Sequence, residues 1–142
     1  MIKNPLVKAI LLYKQDDIFY FLELTRSPRK NFCPLMEDLP GGKVDIGELP
    51  IAAIKREIQE ETGLIVPKVH QIIVYDWGDS QEYREHLYCA IVNTQEVMLA
   101  PEEHISYRWI ALDRIGESTL HPNMKKIIEN HKSKIVALLE NR

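Results

Sequence analysis

The sequence is short of most features that mark a specialised chain. It holds only two cysteines in 142 residues, Cys33 and Cys89, with no CxxC pair between them. A small disulfide-stapled secreted scaffold would carry more, so both are expected as free thiols in a reducing compartment. No charge sign dominates. The formal net charge is −3, which leaves no basic field to draw in a nucleic acid polymer. The longest apolar run near the start, Ala9 to Tyr13, is far too short to span a bilayer. The segment Met1-Ile2-Lys3-Asn4-Pro5 lacks the charged, apolar and small-residue regions of a signal peptide. A cytoplasmic protein with no membrane partner is therefore expected. Repeats, low-complexity stretches and linkers are also lacking, and the length suits a single domain over residues 1–142. What remains is ordinary globular composition, 45% hydrophobic and 27% charged, enough to build a real core.

Residues 6–12 (LVKAILL) and 18–24 (IFYFLEL) are short apolar runs around a polar turn, the pattern of a hairpin. Residues 25–38, with two prolines and several charges, read as a long loop, a place where function often resides. Leu39-Pro40-Gly41-Gly42 is a sharp break. Residues 50–62 then predict a helix. Pro50 suits its first turn, Gly63 its left-handed C-terminal cap, and Ile51, Ile54 and Ile58 form its buried stripe. Further strands are predicted at 69–76, 83–93 and 107–112, and a closing helix from about Asn123 to Leu139. Strands outnumber helices, so the expected class is α+β, a mixed sheet with helices packed on it.

The stretch Arg56-Glu57-Ile58-Gln59-Glu60-Glu61 is the informative one. On a helix Glu57, Glu60 and Glu61 share an arc of about 100°. Like charges at i,i+3 and i,i+4 repel, and the C-terminal half of a helix disfavours negative charge. A solvated acidic face is one explanation. A hard divalent cation is the other: Mg2+ takes oxygen ligands and keeps waters and phosphate oxygens in its shell. Such an ion would bring the positive charge that an acidic chain lacks for binding a polyanionic ligand. Gly41 and Gly42, followed by Lys43, allow close backbone approach to a ligand, although such a turn is weak evidence alone.

Together these pieces resemble the signature of the Nudix hydrolase family. The Nudix box reads Gly, five residues, Glu, seven residues, then Arg-Glu-apolar-any-Glu-Glu-any-Gly-apolar. Here Gly42, Glu48, Arg56, Glu57, Ile58, Glu60, Glu61, Gly63 and Leu64 fill every fixed position. A chance match at a given start is rarer than roughly one in a billion. The resemblance implies the Nudix fold, a mixed β-sheet sandwiched between α-helices (α/β/α). It implies a Mg2+-dependent hydrolase acting on phosphorus anhydrides, with Mn2+ as an alternative ion. It assigns Glu57, Glu60 and Glu61 to the metal, and Glu48 and Arg56 to supporting the loop and orienting the carboxylates. Glu57 is the first choice of general base. Glu103, in Glu102-Glu103-His104, is either a second functional carboxylate or a plain loop glutamate. Arg26 and Lys43 stand where MutT-like members contact phosphate, and Arg26 can equally be a solvated loop charge.

The box leaves the substrate open. A MutT-like (d)NTP pyrophosphatase is the first reading, favoured by Arg26, Lys43 and the small size. A dinucleoside polyphosphate hydrolase is the second, since the stretch from Glu102 to Trp109 is similar to that of such enzymes. ADP-ribose hydrolysis is disfavoured because no proline lies between Pro67 and Pro101. A binding module that does not cleave is a third reading, but degenerate glutamates would mark it and these are intact. The expected partner is a small nucleotide, and the resemblance leaves a homodimer open. The five histidines show no metal-ligand spacing and read as surface or core residues. Trp77 and Phe32 read as sheet and loop packing. Asn123 reads as a purine contact or as the cap of the last helix.

Overall fold

The computed structural model describes residues 2–140. Two long strands, β1 (Asn4–Gln15) and β2 (Ile18–Arg26), form the expected hairpin. Its turn is only Asp16-Asp17, both at positive φ, the backbone a tight two-residue hairpin requires and aspartate tolerates. Two short strands follow, β3 (Glu37–Asp38) and β4 (Gly41–Lys43), then helix α1 (Pro50–Thr62). The chain continues through β5 (His70–Trp77), β6 (Tyr83–Val92) and β7 (His104–Ala111), a 3-10 turn at Leu112–Glu117, and helices α2 (Pro122–Asn130) and α3 (Lys132–Glu140).

β1 is the axis of the sheet. The order is β3-β2-β1-β6-β5, with β4 also on β1 and β7 on β2. Along one edge β1 pairs in parallel with β6 from Asn4 to Tyr13. Its other edge is shared: Leu6–Lys8 pair with β4, and Leu12–Gln15 with β2. Both faces of β1 are covered, which is why its apolar run is nearly continuous. Val7, Ala9 and Leu11 pack with Ala53, Ile54 and Ile58 of α1. Ile10 and Leu12 pack with Ile128, Ile135 and Leu139 of α2 and α3. The result is the expected α+β arrangement, a mixed sheet between helical layers. Among the described residues no helix is long and apolar enough to cross a membrane.

Several boundaries differ from the sequence reading. Gly41–Lys43 is strand rather than break, held to Leu6–Lys8. The long loop shrinks to 27–36, because β2 reaches Arg26 and β3 takes Glu37–Asp38. The last strand starts earlier, at His104, and Leu112 belongs to the 3-10 turn. The closing helix is two helices. Its apolar stripe runs on through Ile128, Ile135 and Leu139, but His131 adopts φ −111 and ψ 10. Its backbone N–H divides between the Ile127 and Ile128 carbonyls, and its ring Nδ1 lies 2.8 Å from the Ile127 oxygen. A side chain that bonds the preceding turn competes with helix continuation. Ile51 lies on the α1 stripe but is 44% exposed, because it sits in the first turn where the helix emerges from the layer. The cap of α2 is His121, whose Nδ1 accepts the Asn123 N–H at 3.1 Å, and Asn123 itself is exposed.

Candidate active site

The site grows out of the contact between β4 and the second half of α1. Gly41 and Gly42 are demanded by that contact. A Cβ at Gly41 would overlap the Val7 carbonyl oxygen. One at Gly42 would lie 2.8 Å from the carboxyl carbon of Glu57. The two glycines thus let β4 lie against β1 while the helix presses a carboxylate onto it. Gly42→Ala should displace the Glu57 carboxylate and lower divalent-cation affinity roughly 10–100-fold with little loss of fold, read by cation titration beside thermal denaturation.

Arg56 organises the acidic groups. Its Nε donates to Glu48 Oε2 at 2.9 Å and its Nη2 to Glu48 Oε1 at 3.1 Å, a two-pronged grip. Nη1 donates to Glu57 Oε1 at 2.9 Å and reaches Glu60 at 3.3 Å. Nη2 also donates to the Lys43 carbonyl at 3.1 Å, which ties the helix to the end of β4. Glu48 further accepts the Asp45 N–H and so closes its loop. The Arg56 hydrogen bond holds the Glu48 carboxyl below the usual carboxylate range, and Glu48 in turn raises the pKa of Arg56.

Glu57 and Glu61 are under opposite pressure. Burial raises the pKa of Glu57, with Glu60 and Glu103 adding to it and Arg56 opposing. Burial pushes Glu61 up to about 8, with Glu57 and Glu103 reinforcing it and the Gly41 N–H and Lys8 opposing. Glu61 Oε1 accepts the Gly41 N–H at 2.7 Å. Glu60 is the exposed member, its side chain 57% accessible.

This gives a pH prediction for the cation-free protein. In the unfolded chain Glu61 ionises near 4.5, while the fold resists its ionisation up to about 8. The stability tied to its neutral form is fully present below 4.5 and is lost as pH rises through 8. In EDTA, the wild type should lose on the order of a few kcal/mol of unfolding free energy relative to Glu61→Gln across that window, against the opposite slope that His104 contributes to both proteins below about 6.5. Identical pH profiles for the two proteins would contradict this.

Among the described residues, no three carboxylate, imidazole or thiol groups converge as metal ligands in the conformation seen. Arg56 draws Glu57 and Glu60 toward itself. The donor set nevertheless fits a hard divalent cation. Glu57 and Glu61 are pressed on adjacent residues of β4, each is destabilised as an anion, and Glu103 adds a third negative charge to both. Oxygen ligands with uncompensated charge are what Mg2+ binds.

The remaining sequence candidates lie around this centre. Glu103 immediately precedes β7, and its carboxylate pairs with Lys30 of the 27–36 loop. Its carbonyl accepts the Ser27 N–H at 2.9 Å. Arg26 ends β2, where its Nε donates to the Phe32 carbonyl at 3.0 Å and Nη1 to Asp38 Oδ2 at 3.4 Å. It thereby staples the loop, with its side chain only 16% exposed. Lys43 is exposed. Trp77 stacks on Tyr83 at 4.6 Å, as sheet packing requires. Phe32 departs from the expectation, being 65% exposed rather than packed.

Sequence reasoning missed a partly buried polar group beside the site. Lys8 pairs with Asp38, and the Tyr75 hydroxyl donates to Glu85. Burial works against the Lys8 charge, but Asp38, Glu85 and Glu61 outweigh it and raise its pKa. The one visible signal was a lysine inside the apolar run of β1. His104 was missed as well. It is 2% exposed, its Nδ1 lies 3.6 Å from Glu61 Oε2, and burial pushes its pKa down to about 4.

Fold and site together define an α+β domain in which a glycine strand and an arginine-organised carboxylate helix form one centre. The chain belongs to the NUDIX domain family, whose profile matches residues 4–131. It is similar to a putative 8-oxo-dGTP diphosphatase of Bacillus subtilis, 33% identical over 96 residues, 68% of this chain and 63% of that protein. A 28-residue stretch, 20% of this chain, is 57% identical to an 8-oxo-dGTP diphosphatase of Haemophilus influenzae and covers 21% of that protein. The matches thus span less than two thirds of the length of these curated relatives. The structure resembles that of a MutT protein from Methanosarcina mazei Go1, with a TM-score of 0.77 and 26% identity, over 94% of this chain and 95% of that one.

Proposed function

We propose that the chain is a Mg2+-dependent pyrophosphohydrolase of nucleoside-diphosphate derivatives, most directly a MutT-like (d)NTP pyrophosphatase. The observation that carries this reading is the compression of Glu57 and Glu61 onto Gly41–Gly42 under the control of Arg56. Two relatives named as 8-oxo-dGTP diphosphatases support a nucleoside triphosphate as substrate.

Glu57, Glu60 and Glu61 would hold the ion. When bound, Mg2+ supplies positive charge to phosphate oxygens and acidifies a water. The chain does the rest. Arg56 fixes Glu57 through Oε1, leaving Oε2 as the atom to take a proton from the attacking water. In the cation-free site burial raises the Glu57 carboxyl's affinity for a proton. Glu103 is the second candidate for this role once Lys30 lets go. Lys43, free at the end of β4, is placed to meet a phosphate, and Arg26 would have to leave Asp38 to do so.

In the dinucleoside polyphosphate reading, the stretch 102–109 would define specificity. Arg108 within it donates to buried Glu23 at 2.7 Å, which also accepts from the Ser118 hydroxyl at 2.6 Å. That gives the arginine a structural task and favours the first reading. Incubation with Mg2+ and a panel of (d)NTPs, 8-oxo-dGTP, diadenosine polyphosphates, ADP-ribose and NDP-sugars separates the two. Pyrophosphate and a monophosphate from a triphosphate support the first. ATP from a diadenosine polyphosphate would replace it with the second.

A further inference from the structure

His104 sits at an irregular point of the sheet. It opens β7 opposite Arg26, where the β2–β7 register shifts between Thr25 and Arg26. Such irregularities re-aim side chains, and here the imidazole is carried inward to 2% exposure. Neither ring nitrogen has a hydrogen-bond partner. A buried polar group left in that state costs on the order of 1–3 kcal/mol, and native proteins rarely retain one without use.

The carboxylate neighbour of His104 is Glu61. Its Oε1 is fixed by the Gly41 N–H at 2.7 Å. Its Oε2 faces His104 Nδ1 at 3.6 Å, just beyond hydrogen-bond reach. The two elements therefore approach one carboxylate from opposite sides, β4 on one oxygen and β7 on the other.

We propose that His104 is a positioning residue for Glu61, its Nδ1–H donating to Oε2 when the site holds its divalent cation. This rests on the metal-site reading above. With both oxygens anchored, the carboxylate plane is set by two strands and cannot rotate away from the ion. A neutral imidazole donates through only one nitrogen, so the arrangement requires the Nδ1–H tautomer. Groups that orient metal ligands in this way typically govern metal affinity by about 10–100-fold.

The test is Mn2+ binding without nucleotide, followed by the EPR signal of free ion, in the wild type, His104→Phe and His104→Asn. Phenylalanine keeps the packing and removes the donor. Asparagine places an amide N–H near the Nδ1 position. The expected result is a Kd raised roughly 10–100-fold in His104→Phe and restored close to wild type in His104→Asn. A folded His104→Phe that binds Mn2+ as the wild type does would overturn the proposal while leaving the metal site standing. A wild type that binds no Mn2+ would overturn both. The wild type also gives an answer that needs no variant. Long-range 1H–15N NMR of the Mg2+-loaded protein should show His104 protonated on Nδ1, and an Nε2–H tautomer would overturn the inference.

Discussion

Glu57→Gln is expected to lower kcat by about 10³-fold or more, since one substitution removes a metal ligand and the first-choice base. The side chain keeps its volume, so the loss cannot come from packing. Stability should hold or rise. The wild-type carboxylate is held in a partly buried position beside Glu60, Glu61 and Glu103, and burial already raises its pKa. A neutral amide relieves that repulsion, although the charge-assisted bond from Arg56 Nη1 is weakened. Stability retained with activity lost is the signature of a group kept for chemistry at the expense of folding. Activity assays paired with thermal denaturation check it. A variant with near wild-type kcat would remove Glu57 from the site.

Arg56→Lys should cost both activity and stability, despite keeping the charge. The guanidinium reaches Glu48 with two nitrogens, Glu57 and Glu60 with a third contact, and the Lys43 carbonyl besides. An ammonium has one point of charge and cannot span that fork. The loop carrying Glu48 would lose its anchor on α1, and Glu57 would lose the partner that fixes Oε1. We expect a stability loss of about 1–3 kcal/mol, discounted because the arginine is partly exposed, and a fall in kcat of roughly 10²-fold. Urea denaturation and initial rates measure the two. Glu48→Gln, which leaves the contacts to Glu57 and Glu60 intact, should be milder in both. A lysine variant with unchanged rates would mean that the carboxylates are placed without Arg56.

The contrast between these residues and the ones missed shows where sequence reading stops. Glu48, Arg56, Glu57, Glu60 and Glu61 lie within one loop and one helix, so their spacing is set by local geometry and is visible as a pattern. Lys8, Asp38, Glu85 and Tyr75 come from β1, β3, β6 and β5. They meet because β1 pairs in parallel with β6, β5 sets Tyr75 opposite Glu85, and β3 carries Asp38 on β2. No periodicity within one strand encodes such a meeting. His104 was harder still, because its inward aim depends on the register shift between β2 and β7. The closing helix failed for another reason. Its apolar stripe is continuous, and stripe alone does not reveal that the His131 ring bonds the preceding turn. The general lesson is that chemistry carried by one element is legible, whereas chemistry assembled across the sheet awaits the fold.

The most direct test of the central claim is product release from 8-oxo-dGTP by the purified protein, in Mg2+ and in EDTA, resolved by chromatography. The expected products are the nucleoside monophosphate and pyrophosphate in Mg2+ and neither in EDTA. Nucleotide that binds in Mg2+ yet is recovered intact, here and across the wider panel, would contradict it and leave a binding module in its place.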